Sequence, residues 1–542
     1  MKKKGFSLLL AILLALTALP AWAEGDQLDK PAELKVWMFG NADQKDYDAV
    51  MERYNALLSQ AVSNTTLSIY YPGDYFSEFE LAMAAGEQID LAWSGWGTNF
   101  AKLAKDGTLL PLEDLLAEYG KDILAAIGEE HMNAERLHDD HLYQILAYQG
   151  LCGCIYSMFE KQIVDLCHEG WCDEMNDLYY DGYFANDPAV MEKFFALMDE
   201  YLGKAKENGM LYSGVHPTLF SSYNKPYTSP DVHKGGGNGW AFRMDENGQP
   251  YASIDVAENS VSSNAAFYEG MAGLYEKGYI IPSILAEGGD RWWTEPENGV
   301  RHDTDLVTWY TTSSADMQTA CQSYADKYGI ELVCFSKWPM HQDDLGNATG
   351  ESIPYTSKYP ERAMMVINEM YKNQDLYLTF VYGLENTHWV YTDDGMIDVK
   401  ANNGGAQSTW DYGQNGWVFG SMLLNPASTA TLSADLEKCK TAFHRPFMTF
   451  NFNNDSVADE DANVKAVMNE YKDALEAGVY GADWATVYEQ FRSEMYAAGI
   501  EKVAAEADAQ LKQFAADKGI TEFMPDPEKY PKRDWIVVSP AK

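Results

Sequence analysis

The sequence predicts an α/β protein built as two large lobes, and three observations carry that prediction. The chain has 542 residues, too many for one small module at about 100–200 residues per domain. Apolar residues make up 46% and charged residues 23%, ordinary globular values that provide for a large core and exclude disordered and fibrous classes. Strand and helix patterns then alternate from Leu34 onward at the pace of a parallel sheet, and they recur on both sides of a mixed middle region.

The elements follow in order. Leu34 to Phe39 alternates and is apolar, which predicts a strand, and Gly40 to Asp43 a loop. Tyr47 to Val62 has helical spacing through Val50, Met51, Tyr54, Leu57 and Leu58. Leu67 to Tyr71 is a second strand. Phe76 to Ala85 is a helix stopped by Gly86, and Ile89 to Trp93 a third strand. Leu109 to Leu115 opens another helix. Ligands of such sheets sit outside the carboxyl ends of the strands, here Gly40 to Asp43 and Ser94 to Asn99. In the middle region, Met191 to Leu202 and Asn264 to Lys277 read as helices, and Met244 to Gly248 as a hairpin turn, since Asn-Gly suits type I′. Gly235 to Gly239 is a flexible loop without the Lys-Ser/Thr of a phosphate cradle. Further on, Tyr359 to Asn373, Val464 to Ala477 and Trp484 to Phe514 are helical.

The first residues are an address. Lys2, Lys3 and Lys4 precede the apolar run Phe6 to Leu19, and Ala21-Trp22-Ala23 is a small-residue cleavage site, so 1–23 reads as a secretory signal peptide. The apolar run is too short for a spanning helix, and no Cys follows the cleavage site to carry a lipid anchor. The mature protein is expected outside the cytoplasm, periplasmic or at the cell surface. Seven cysteines is an odd number, and export permits disulfides. Cys167 with Cys172 and Cys321 with Cys334 are the local pairs open to bonding. Cys152, Cys154, Cys167, His168 and Cys172 match no standard zinc spacing, so no metal ligands are assigned.

Charge excludes some partners. The chain carries 82 acidic against 40 basic residues, a net −42, and removal of the signal takes three lysines and no acid, giving −45. Nucleic acid is not expected, since phosphate binding needs clustered Lys and Arg, and an anionic membrane surface is disfavoured for the same reason. The acids are spread along the chain and read as solubility. Aromatic residues reach 13%, with 35 Tyr and 15 Trp.

Four stretches resemble the family-1 extracellular solute-binding proteins of ABC importers, the maltose-binding-protein-like class. LKVWMFGNADQKDYDAVMERYN from Leu34 to Asn55 resembles that family's first strand, ligand loop and helix. Ile89 to Leu112 resembles its aspartate-aromatic loop followed by a helix and G-x-L-x-P-L. Tyr143 to Ile163 is similar to its first crossing between lobes, and Ile353 to Leu376, with Pro360-Glu361-Arg362-Ala363, to a first-lobe helix. Tyr382-Gly383-Leu384-Glu385-Asn386-Thr387-His388-Trp389 and the block from Phe447 onward are similar to the LipO-type subgroup with its extended carboxy-terminal region.

The resemblance implies a two-lobe periplasmic-binding-protein-like fold, each lobe a mixed, mostly parallel sheet flanked by helices, with the ligand cleft between lobes. It implies an N-terminal lobe of 24–148 plus about 350–405. The C-terminal lobe is then 149–349 plus about 406–542, with a helical extension. It also implies a carbohydrate ligand, an oligosaccharide, delivered to permease subunits by a monomer with no cofactor and no catalytic residue.

By family position the ligand-binding candidates are Asn41 and Asp43 after the first strand, Trp96 and Asn99 after the third, Gln149 on the first crossing, and Trp293, Trp309 and Trp417. Aromatic planes cover the apolar faces of a sugar while amides and carboxylates satisfy its hydroxyls. Bland alternatives stand beside them. Trp37 and Trp93 lie within strands and belong to the core. Trp292 and Trp293 are adjacent, so a strand would turn one inward, and Trp410 and Trp417 could simply pack. Asp43 could cap the following helix. His388 reads as hydrogen-bonded packing.

Two other functions compete. A secreted glycosidase would need paired carboxylates about 5 or 6.5–9.5 Å apart, a spacing sequence does not reveal; no G-x-S-x-G or H-E-x-x-H is present. The same scaffold could instead bind a peptide.

Overall fold

The computed structural model describes residues 28–40, 46–95, 100–134, 136–137, 139–148, 152–184, 189–211, 214–215, 239–245, 249–254, 256, 265–281, 285, 307–312, 316–337, 341–342, 349–399, 419–426, 442–443, 446–447, 450, 452–523 and 526–541. The expected signal peptide, the glycine loop at 235–238, Trp292, Trp410 and Cys439 lie outside these residues. The chain divides into two compact units: residues 1–149 with 346–429, and 150–345 with 430–542.

Unit 1 opens as the periodicity predicts. In β1 (Ala32–Trp37), Ala32, Leu34 and Val36 are buried while Glu33 and Lys35 face out, the alternation of a half-buried strand. Helix α1 (Tyr47–Ala61) buries Val50, Met51, Tyr54 and Leu58. After β2 (Thr65–Tyr70) comes α2 (Tyr75–Ala85), capped by the Asp74 carboxylate accepting from the Ser77 amide and ended at Gly86. β3 (Leu91–Ser94) is buried along its length. Short helices α3 (Phe100–Lys105), α4 (Glu113–Tyr119), α5 (Lys121–Ile127) and α6 (Glu129–Ala134) lead to β4 (Ile145–Leu146).

Unit 2 begins with β5 (Cys152–Glu160), α7 (Lys161–Val164), α8 (Trp171–Phe184) and α9 (Ala189–Glu207). There follow β6 (Trp240–Met244), β7 (Pro250–Ile254), α10 (Ala265–Glu276), β8 (Val307–Thr312), α11 (Met317–Tyr328), β9 (Leu332–Ser336) and β10 (His341–Gln342). The chain then returns to unit 1 through β11 (Gly350–Ser352), α12 (Pro360–Glu369), α13 (Gln374–Tyr382), β12 (Trp389–Tyr391) and β13 (Ile397–Val399). It ends in unit 2 with α14 (Ala458–Glu476), α15 (Trp484–Ala498), α16 (Ile500–Lys518) and β14 (Ile536–Val538).

The main sheet of unit 1 has the order β2-β1-β3-β11-β4. β1 runs parallel to β2 and β3, and β11 runs against both β3 and β4. The outer edge of β2 is closed by side chains: the Asn55 amide donates to the Leu67 carbonyl at 2.9 Å and accepts from the Leu67 amide at 2.8 Å. Arg362, fully buried behind Pro360, donates to the carbonyls of Asn64 and Lys30 and to the Thr65 hydroxyl. It thereby satisfies acceptors at the starts of β1 and β2.

In unit 2 the strand directions differ from the mostly parallel sheet expected. The order is β10-β5-β9-β14, with β8 also on β5, and every pair is antiparallel. β8 and β9 share one direction and are joined through α11 as a β-α-β unit. The incoming strand β5 lies between them and runs the other way, and β14 arrives from the far end of the chain.

The hairpin β6–β7 forms, with the Asp245 N–H donating to the Gln249 carbonyl; the expected Asn-Gly turn lies outside the described residues. Two local expectations change. The helix expected over 359–373 stops at Glu369 because Asn373 caps a second one, its side chain accepting from the Leu376 amide. The helix expected over 484–514 is two helices, broken at Gly499. There φ is +100° and a Cβ would stand 2.6 Å from Glu460 on α14, so close approach of two helices demands glycine.

The core of unit 2 is aromatic. Phe159 meets Trp171, Tyr201 and Phe335 edge-on at 5.3–5.6 Å, and α14, α15 and α16 add Val464, Phe491 and Leu511 to the same core. The last residues strap onto this unit. Lys532 pairs with Asp177, Trp535 Nε1 donates to Asp173, and Asn176 donates to the Arg533 carbonyl.

Neither of the local pairs left open in the sequence is bonded: Cys154, Cys167, Cys172, Cys321 and Cys334 are free thiols. Cys167 Sγ donates to the Ile163 carbonyl, and Cys321 and Cys334 are buried hydrogen-bonding neighbours. His168 has both ring nitrogens engaged, by Glu200 at 2.7 Å and Glu174 at 3.1 Å, which removes the histidine from the zinc arrangement weighed in the sequence.

Candidate functional site

In unit 1, β1, β3 and β4 point their carboxyl ends the same way, since β1 is parallel to β3 and both β3 and β4 run against β11. That end of the sheet is built of aromatic rings. Trp93, the third residue of β3, is buried and lies against Phe39 (ring centroids 5.0 Å apart, planes 30°) and Tyr75 (5.3 Å, edge-on). Phe76 sits 6.0 Å from Phe39. Tyr75 and Trp93 form the buried layer, while Phe39 and Phe76 are half-buried above it.

Hydrogen bonds fix the backbone beneath this shelf. The Tyr75 hydroxyl donates to the Trp93 carbonyl at 2.7 Å, Gln144 Nε2 donates to the Ser94 carbonyl at 2.8 Å, and the Ser94 and Ser352 hydroxyls are 2.9 Å apart. Three separate strands and α2 thus hold one aromatic surface. Such a surface accepts the C–H face of a ring-shaped ligand.

One carboxyl lies under the shelf. Glu351 pairs in register with Trp93 and is 2% exposed, with no hydrogen-bond partner at either oxygen. Burial raises its pKa well above the usual carboxylate range. In unit 2, Lys337 is buried at the carboxyl end of β9.

A second concavity of about 810 Å³ lies elsewhere on unit 1, lined by Lys35, Trp37, Ser68, Tyr70, Glu78 and Leu81 among others. Several of its polar groups are already paired: Lys35 Nζ with Glu33 and Ser68, and the Tyr70 hydroxyl with Glu78. Much of its hydrogen-bonding capacity is spent within the protein, and the strand-end shelf is the better candidate.

Of the residues expected from sequence, Asn41, Asp43, Trp96, Asn99, Gln149, Trp293 and Trp417 lie outside the described residues. Trp309 falls in β8, its backbone opposite Ser157 of β5. Among the described residues, Gly40 and Gly95 leave the neighbouring strands β1 and β3, and Tyr148 follows β4, all at the shelf end. Tyr148 is bracketed there, its amide donating to the Gly420 carbonyl and its carbonyl accepting from Met422. Phe39 and Phe76 went unassigned in the sequence. Their positions at a strand end and in the first turn of a helix that follows a strand were the available signal. Trp37 and Trp93 are buried, as expected, and His388 is buried and hydrogen-bonded.

A family profile described as a domain of unknown function (DUF3502) matches residues 446–516, the helical block of unit 2. The chain is 21% identical to a carbohydrate ABC transporter substrate-binding protein of Streptococcus pneumoniae serotype 4, over 91% of this chain and 93% of that one. Among solved structures it is similar to the N-glycan transport solute-binding protein NgtS of Streptococcus pneumoniae in complex with Man1GlcNAc. The TM-score is 0.65 and the identity 18%, over 90% of this chain and all of that one. It is also similar to an extracellular solute-binding protein of Bifidobacterium longum subsp. infantis, with a TM-score of 0.54, 12% identity and coverage of 90% and 99%. The α/β fold expected from the sequence is therefore the fold of extracellular solute-binding proteins. Among the described residues no helix is long and apolar enough to cross a membrane.

Proposed function

We propose that this chain is the extracytoplasmic solute-binding component of an ABC importer, capturing an oligosaccharide and delivering it to permease subunits without turnover. The observation that carries the reading is end-to-end likeness to a glycan-transport binding protein, over 90% of this chain and the whole of the other. The shelf of Phe39 and Phe76 supplies matching chemistry, with apolar ring faces to cover a sugar. Asn41, Asp43, Trp96, Asn99, Gln149, Trp293, Trp309 and Trp417 are proposed to complete the ligand contacts, the amides and carboxylate meeting hydroxyls.

The test is a thermal-shift and calorimetric screen of the full chain against mannose- and N-acetylglucosamine-containing oligosaccharides, other neutral oligosaccharides and peptides, with chromatography of the products. A bound glycan at a hundredfold excess over its Kd stabilises by about 2.7 kcal/mol, and it is recovered intact. Released sugar would instead identify a glycosidase, and stabilisation by peptides alone would replace the carbohydrate reading. Phe39→Leu keeps the bulk but removes the flat face, and should weaken glycan binding roughly tenfold, the size of one aromatic contact.

A further inference from the structure

The residue before a helix ordinarily accepts a hydrogen bond from that helix's first amides. Asp46, immediately before α1, does not: its side chain makes no capping bond, and its backbone is left-handed, with φ 64° and ψ 16°. Its carboxylate is instead 3.3 Å from Nε2 of His388, which is 342 residues away in sequence.

His388 is itself held from several directions. The Leu384 amide donates to Nδ1 at 2.9 Å, so Nε2 carries the ring hydrogen and donates to Asp46. The His388 amide donates to the Leu384 carbonyl, and Trp389 Nε1 donates to the Gly383 carbonyl at 3.1 Å. Gly383 has φ +81°, and a Cβ there would lie 2.4 Å from Nδ1. The Tyr382–Trp389 motif therefore folds around one imidazole, whose free donor reaches out to Asp46. The imidazole is 1% exposed, while the carboxylate it meets is 38% exposed.

Asp46 stands where the chain re-enters a helix after leaving the carboxyl end of β1, the end that carries the aromatic shelf. Gly40 is tied to that end through β1 and the bond from the Met38 amide to the Tyr70 carbonyl. We infer that His388 is a positioning residue for ligand binding by unit 1: through Asp46 it fixes the start of α1, the helix that follows β1, in a left-handed backbone conformation uncommon outside glycine. An unfavourable local geometry at a helix start, held by a distant buried donor, is the arrangement of pre-organisation. The inference rests on the carbohydrate reading.

Substitution of Asp46 separates the tether from the backbone. Asp46→Asn keeps an acceptor and tolerates the left-handed region. Asp46→Gly relieves the backbone cost but removes the acceptor. A merely structural role predicts that Asp46→Gly melts no lower than wild type and binds the same. The positioning role predicts a melting point no lower, a roughly three- to tenfold weaker affinity for the glycan found in the screen, and faster hydrogen exchange in a peptide spanning 39–48. Asp46→Asn should restore both readouts. His388→Ala, which empties a buried site, is a secondary variant and is read only if it folds. Wild-type affinity and unchanged exchange in Asp46→Gly overturn the inference. If wild type binds no glycan, the carbohydrate reading falls by itself. The exchange comparison still decides the tether, and equal exchange in Asp46→Gly and Asp46→Asn overturns it.

Discussion

A carboxyl buried without a partner, as at Glu351, favours folding only while it holds its proton. Its pKa is raised in the folded chain by desolvation, so the folded state binds the proton more tightly than the unfolded state does. The stability it leaves intact is fully present below the unfolded value near 4.5, and it is lost as pH rises toward the folded value. The slope between the two is about 1.4 kcal/mol per pH unit. Glu351→Gln should flatten that slope, measured as urea unfolding free energy across a pH series. Parallel slopes in the two proteins would show that Glu351 is not its source. Sequence gave no sign of this burial, because a lone Glu in Gly350-Glu351-Ser352 reads as a loop charge. Trp37 and Trp93 were legible, since a large apolar side chain within a strand usually belongs to the core. Phe39 was not, since alternation does not tell where a strand stops: β1 ends at Trp37, and Phe39 lies past it, against Trp93.

At the scale of elements, the edge of β2 shows how α1 does more than cover a sheet. The Asn55 amide occupies the outward N–H and C=O of Leu67 as a neighbouring strand would. An open edge is a template for pairing with another chain. Asn55→Ala should therefore cost about 1–3 kcal/mol for the pair of groups left unmet. It should also hasten aggregation on warming, seen by light scattering; unchanged melting and scattering would assign the edge no protective role. The opening elements of unit 1, β1 to β3, were legible because strand and helix periods alternate there without interruption. The breaks in the later helices were not, because Gly499 and Asn373 act through tertiary neighbours and caps that a periodic pattern passes over.

Over the whole molecule, the −42 charge bears on ligand choice. A uronate-containing oligosaccharide should bind more weakly at low than at moderate salt, while a neutral one of equal length should bind alike at both. Calorimetry at two ionic strengths checks this, and tighter uronate binding at low salt would point to a local basic patch overriding the net charge. The α/β class was legible at this scale because strand and helix signals alternate. The strand directions in unit 2 were not, because they depend on β5 and β14, which meet β9 from distant parts of the chain.

That pairing constrains the birth of the protein. The sheet begun at Cys152 is finished by Ile536–Val538, synthesised long after it, and unit 1 waits for β11 and α12 to α13. The sheet of unit 2 cannot close until β14 has been made, and long-range pairing of this kind is slow.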